Sequence, residues 1–129
     1  MSNGQDIFIV GAARTAIGTF GGSLSSFRPA ELGTIVIKEA LERAGVTPAD
    51  VQNVVIGTVV PTQPKDAYVS RVAAVDAGIS VDAPAMNVNR LCGSGLQAIV
   101  SAAQAMALGE HDIAVAGGAE CMSLSLIHI

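Results

Sequence analysis

The chain has 129 residues, enough for one domain with a hydrophobic core and too few for two ordinary ones. Half of the residues are hydrophobic and only 14% are charged, so more apolar surface awaits burial than a sphere of this size can hide, which points to a missing partner or a missing domain. A net charge of -4, seven scattered Lys and Arg, three Phe, one Tyr and no Trp argue against nucleic-acid binding, which needs a basic footprint and stacking surfaces.

The first residues, Met1 to Asp6, are polar and lack the basic start and apolar run of a secretory signal, so a cytoplasmic location is expected. Ile7-Phe8-Ile9-Val10 then reads as a buried first strand ending at Gly11. The Gly-rich loop from Arg14 to Ser26 matches neither G-x-G-x-x-G nor the Lys-bearing phosphate loop, so no nucleotide site follows. Pro29 opens a helix that Gly45 ends, with Glu31, Thr34, Lys38 and Glu42 along one face and Leu32, Ile35, Val36, Ala40 and Ala44 mostly elsewhere. Thr47-Pro48-Ala49-Asp50 forms a capped single turn, and Val54 to Val60 a second strand stopped by Pro61.

Pro61 to Tyr68 is a loop, and Ser70 to Ala77 a short helix closed by Gly78. Ala85 to Asn89 forms a third strand, followed by Arg90-Leu91-Cys92-Gly93-Ser94-Gly95, an uncharged helix, and a fourth strand, Ile113 to Ala116. Strands alternating with helices predict an α/β fold, a mostly parallel sheet covered on both faces. The uncharged run from Leu91 to Gly109 is long enough to test for a membrane span. Gln97, Ser101, Gln104 and its many Ala and Gly make it a helix buried in protein instead.

Two cysteines, Cys92 and Cys121, make no disulfide framework. His111 and His128 lie apart from each other and from any carboxylate cluster, so surface or terminal positions are expected for both, and no metal site. Cys92 sits at a strand-to-helix junction, where unpaired backbone N–H groups and the positive helix end converge and favour a thiolate. Gly93 and Gly95 let a carbonyl approach the backbone closely, and the same N–H groups can donate to a tetrahedral oxyanion, so acyl transfer is the natural chemistry. A lone cysteine beside glycines fits a buried structural thiol equally well.

The run Asn87-Val88-Asn89-Arg90-Leu91-Cys92-Gly93-Ser94-Gly95-Leu96-Gln97-Ala98-Ile99 separates these readings, because it resembles the acyl-enzyme motif of thiolases. The resemblance extends to Arg14 to Gly22, to Arg71-Val72-Ala73-Ala74 and to Gly117-Gly118-Ala119-Glu120-Cys121-Met122-Ser123. It implies a partial thiolase-like N-terminal half within a mostly parallel mixed sheet. It also implies that Cys92 takes an acyl group from acyl-CoA, and that acetyl-CoA then attacks the thioester to give a 3-ketoacyl-CoA, or the reverse. Coenzyme A thioesters are then substrates, and no cofactor is implied. In thiolases a second cysteine, a histidine and an Asn-held water assist, and those motifs of the C-terminal half have no match here, so full turnover by this chain alone is not expected.

The same resemblance assigns Glu120 and Met122 to architecture and makes Cys121, where many thiolases have serine, a bystander. Arg14, Arg71 and Arg90 are candidates for CoA phosphates, with loop or subunit packing the stronger expectation. Small residues Ala98, Ser101, Ala102 and Ala105 would let another helix pack closely. By the same resemblance the third strand is expected at a dimer interface, which implies a homo-oligomer of the complete protein. Residues 1–123 read as a partial thiolase N-terminal domain and 124–129 as a divergent tail from truncation or a frameshift. The competing functional class is a non-catalytic thiolase fragment that serves only as an interaction surface.

Overall fold

The computed structural model describes residues 6–125. Helix α1 (Pro29–Ala44) begins where Pro29 supplies a preset φ, and the Glu31 carboxylate accepts the Arg28 N–H at 2.8 Å. It ends at Gly45, whose φ of 66° lets the chain turn away in the left-handed region. Strand β1 (Asn53–Gly57) follows, then a 3-10 turn (Pro64–Tyr68), α2 (Val69–Asp76), β2 (Ala85–Val88), α3 (Ser94–Ala107) and β3 (Ala114–Gly118).

The three strands are parallel, in the order β2-β1-β3. β1 is the central strand and is buried on both faces, as a parallel strand under two helical layers must be. Val54 and Ile56 face α1 and α2, meeting Ile37, Leu41, Val69 and Ala73. Val55 points the other way, onto Ala98 and Ala102 of α3. The α/β class, the parallel sheet and helices on both faces are therefore as expected.

Four expectations are corrected. First, Ile7 to Val10 forms no strand: Phe8 is 75% and Ile9 78% exposed. Its apolar run needs a paired strand, and no strand pairs with it among the described residues. The segment instead runs beside α1, where Arg43 donates to the Ala12 carbonyl at 3.0 Å. Between it and the outer edge of β3 lies an apolar groove of about 530 Å³, floored by residues such as Val36, Ala40, Ile99 and Met106.

Second, the strand read as continuing to Val60 stops at Gly57, because the N–H groups of Val59 and Val60 turn to the Glu120 carboxylate rather than to a neighbouring strand. Third, the uncharged helix is buried on one face only. Ala98 and Ala102 are pressed against the sheet, whereas Leu96 is 70% exposed and Ile99 and Val100 are exposed as well, since one helix face meets the sheet and no further layer covers the other among the described residues. Fourth, His111 is 7% exposed rather than superficial. Its Nδ1 lies 3.4 Å from the Asn53 side-chain amide and its Nε2 has no partner among the described residues. His128 lies outside the described residues, as do the last four residues of the divergent tail.

Among the described residues, no helix is long and apolar enough to cross a membrane. No group of His, Cys, Asp and Glu among them could hold a metal ion.

Candidate active site around Cys92

Cys92 is exposed and stands two residues before α3, at the C-terminal end of β2. In a parallel sheet that end is where loops gather and ligands reach backbone donors. The turn carrying it is tightly built. Leu91 has φ 50°, the one non-glycine residue with positive φ among those described, a conformation that costs roughly 1–2 kcal/mol for a residue with a Cβ. Three contacts hold it there. The Asn89 side chain accepts the Leu91 N–H at 3.0 Å, the Ser94 hydroxyl accepts the Arg90 N–H at 2.8 Å, and the same hydroxyl donates to the Leu91 carbonyl at 2.6 Å.

Ser94 is 4% exposed, so this double bond is shielded from water. Replacing it with alanine strands the Arg90 N–H and leaves the Leu91 carbonyl with the Ser94 backbone N–H alone. Ser94→Ala is expected to cost about 1–2 kcal/mol, read from denaturant unfolding, with the slope against denaturant unchanged.

The backbone donors near the thiol divide into two groups. Gly93 and Ser94 give their N–H groups to the Arg90 and Leu91 carbonyls, at 3.1 and 3.0 Å. For Gly95 and Leu96, in the first turn of α3, no acceptor is found among the described residues. Unpaired N–H groups at this helix start and the helix dipole both favour negative charge near it.

Beneath the turn, two glycines bring backbone against backbone. A Cβ on Gly57 would lie 2.5 Å from the Ser94 carbonyl carbon, and one on Gly118 3.3 Å from the Gly95 Cα. The ends of β1 and β3 thus form a seat without side chains on which α3 rests.

The other candidates are dispersed. Arg14 donates to the Thr15 carbonyl, Arg71 to the Val81 carbonyl and Arg90 to the Gln97 side chain, so each arginine serves its own locality. Cys121 is buried, its sulfur 3.7 Å from the Leu24 carbonyl and 3.8 Å from that of Ser25, under the loop that follows the first extended segment. Ser123 reaches the same loop, accepting the Gly21 N–H at 2.9 Å. Sequence reasoning passed over Asn89, Leu91, Ser94 and Gly57 as individuals. Asn89 and Ser94 carried a readable signal, being short polar side chains of the kind that hydrogen-bond nearby backbone in turns. The strain at Leu91 and the seat at Gly57 carried none.

The family described as "Thiolase, N-terminal domain" matches residues 7–128. A β-ketothiolase of Cupriavidus necator is 59% identical over 119 residues, covering 92% of this chain and 30% of that protein. A cytosolic acetyl-CoA acetyltransferase of Mus musculus is 48% identical over 124 residues, 95% of this chain and 31% of that one. Among solved structures, human mitochondrial 3-ketoacyl-CoA thiolase in complex with CoA superposes with a TM-score of 0.89 at 37% identity, covering 91% of this chain and 30% of that chain. The acetyl-CoA acetyltransferase of Bacillus anthracis gives 0.86 at 42% identity. The chain therefore spans under a third of the length of these relatives, and it belongs to the thiolase family, within that family's N-terminal domain.

Proposed function

We propose that Cys92 is the acyl-carrying nucleophile of an acyltransferase that forms or cleaves 3-ketoacyl-CoA of the acetoacetyl-CoA type, and that this chain supplies the nucleophile's half of the site. The observation that carries the reading is an exposed thiol on a turn held by Ser94 and Asn89 at the start of α3. Family membership and relatives named acetyl-CoA acetyltransferase and β-ketothiolase support it.

The Cys92 sulfur attacks the thioester carbon of an acyl-CoA, and the carbonyl electrons move to oxygen, whose charge the positive start of α3 favours. Collapse of that intermediate breaks the bond to the CoA sulfur, which leaves as a thiol once protonated. In the second half-reaction a carbanion of acetyl-CoA attacks the acyl-cysteine carbonyl and expels the Cys92 thiolate. Alternation through one covalent intermediate gives ping-pong kinetics in the complete enzyme. The base that removes the acetyl proton lies outside this chain, so isolated residues 1–129 carry the first half-reaction at most. Coenzyme A thioesters are the substrates in this reading, with no further cofactor. The complete protein is read as a cytoplasmic homo-oligomer, with residues 1–123 as the partial domain and 124–129 as the divergent tail.

Incubation with acetyl-CoA followed by mass spectrometry tests it. One acetyl group on the peptide carrying Cys92, absent from Cys92→Ser, is the expected result. An unmodified Cys92 sinks the acyl-carrier assignment and leaves the reading in which this chain only pairs with other polypeptides. The exposed Phe8 and Ile9 beside the open edge of β3 favour that second reading.

A further inference from the structure

We propose that Glu120 is a positioning residue for the Cys92 turn, acting through Thr58 and Val88. The inference builds on the acyl-carrier reading for its catalytic meaning, and the geometry behind it is independent of that reading. Glu120 stands two residues past β3. One of its carboxylate oxygens, Oε1, accepts three donors from three consecutive residues: the Thr58 hydroxyl at 3.2 Å, the Val59 N–H at 2.8 Å and the Val60 N–H at 2.9 Å. Two successive backbone N–H groups aimed at one anionic oxygen make short, charge-assisted bonds and fix the direction in which the chain leaves β1.

Thr58 is the pivot. It is buried, and while its hydroxyl is held by Glu120 its own N–H donates to the Val88 carbonyl at 3.1 Å. Val88 is the last residue of β2, and its carbonyl is the last backbone acceptor fixed by β1 before the turn that carries Cys92. On the opposite side the Ala119 N–H donates to the Gly57 carbonyl at 3.1 Å, and Gly57 is the seat beneath Ser94. Glu120 therefore fastens a single point, the exit of β1, from which both the start of the Cys92 turn and its floor are held. Without the carboxylate, the Val59 and Val60 N–H groups and the Thr58 hydroxyl lose their acceptor, which loosens the residue whose N–H holds the Val88 carbonyl.

A glutamine keeps a carbonyl oxygen at the same reach without the charge, so comparing it with alanine separates the position of the acceptor from its charge.

Alkylation of the full chain by iodoacetamide, followed over time by intact mass and peptide mapping, provides the test. Cys92 reports the site, and circular dichroism at the labelling temperature reports unfolding. Glu120→Ala is expected to change the rate of Cys92 labelling about fivefold while the folded signal is kept, and Glu120→Gln to return the rate to within about twofold of the parent. An unchanged Cys92 rate in Glu120→Ala overturns the proposal. So does loss of the folded signal, which would make the effect one of unfolding, and so does a Glu120→Gln rate equal to that of alanine. An unacetylated parent in the acetyl-CoA experiment would remove the acyl-carrier reading and leave these alkylation outcomes intact.

Discussion

Gly57→Ala is expected to lower the thermal midpoint by roughly 10 °C, from a loss of about 3 kcal/mol, and to disorder the Cys92 turn. The added methyl would stand 2.5 Å from the Ser94 carbonyl carbon, 2.6 Å from its oxygen and 2.7 Å from the Gly95 nitrogen. All three are backbone atoms, so no rotamer can relieve the clash, and α3 must move off the sheet. That motion also breaks the contact of Ala98 and Ala102 with Val55, so stability and the placement of the thiol fall together. Gly117→Ala is the control, since a Cβ there meets nothing within 4 Å. Its midpoint should match the parent in the same thermal scan, and an equal loss at both positions would show that glycine content, rather than the seat, is responsible.

Asp66→Ala carries the second large effect. Asp66 is fully buried, yet it is a carboxylate in a connecting segment, and its oxygens are taken up almost entirely by neighbours. Oδ2 accepts the Thr62 N–H at 2.8 Å, the Thr62 hydroxyl at 2.6 Å and the Gln63 N–H at 3.1 Å, and Oδ1 accepts the Gln63 side-chain amide at 3.3 Å. Truncation removes every acceptor at once and leaves an empty space that two backbone N–H groups must face. A cost of about 3 kcal/mol is expected, measured by urea unfolding. The far end of the same connection is pinned separately, where Asn87 accepts the Ser70 N–H at 2.9 Å and donates to the Ala67 carbonyl at 2.8 Å. Local proteolysis should therefore begin near Thr62 in Asp66→Ala, and a cleavage pattern unchanged from the parent would count against this account.

Much of the architecture was legible because its signals are local. Pro29 and Gly45 bracket α1 as helix-start and helix-end chemistry requires, and the Cys-Gly-Ser-Gly run announced the start of α3 within two residues. What escaped depends on residues distant in sequence. Ile7 to Val10 has the composition of a strand, but a strand is defined by a partner, and composition cannot say whether one stands alongside. The end of β1 is set by Glu120, sixty-odd positions away, and no window around Val59 contains that information. His111 looked superficial because its burial comes from β1, through Asn53. At the site itself, Cys92 and its glycines were readable from type and order, whereas the Leu91 strain and the Gly57 seat exist only once three strands converge.

The groove beside β3 has a consequence for handling the chain in solution. A strand edge that no described residue pairs with offers a ladder of amide and carbonyl groups, and here the greasy run from Ile7 to Val10 faces it across a gap. Natural sheets blunt such borders with charge or proline, but Ala114 to Gly118 carries neither. Molecules of this chain at high concentration should zip onto one another along that border, growing particles whose size climbs with dose.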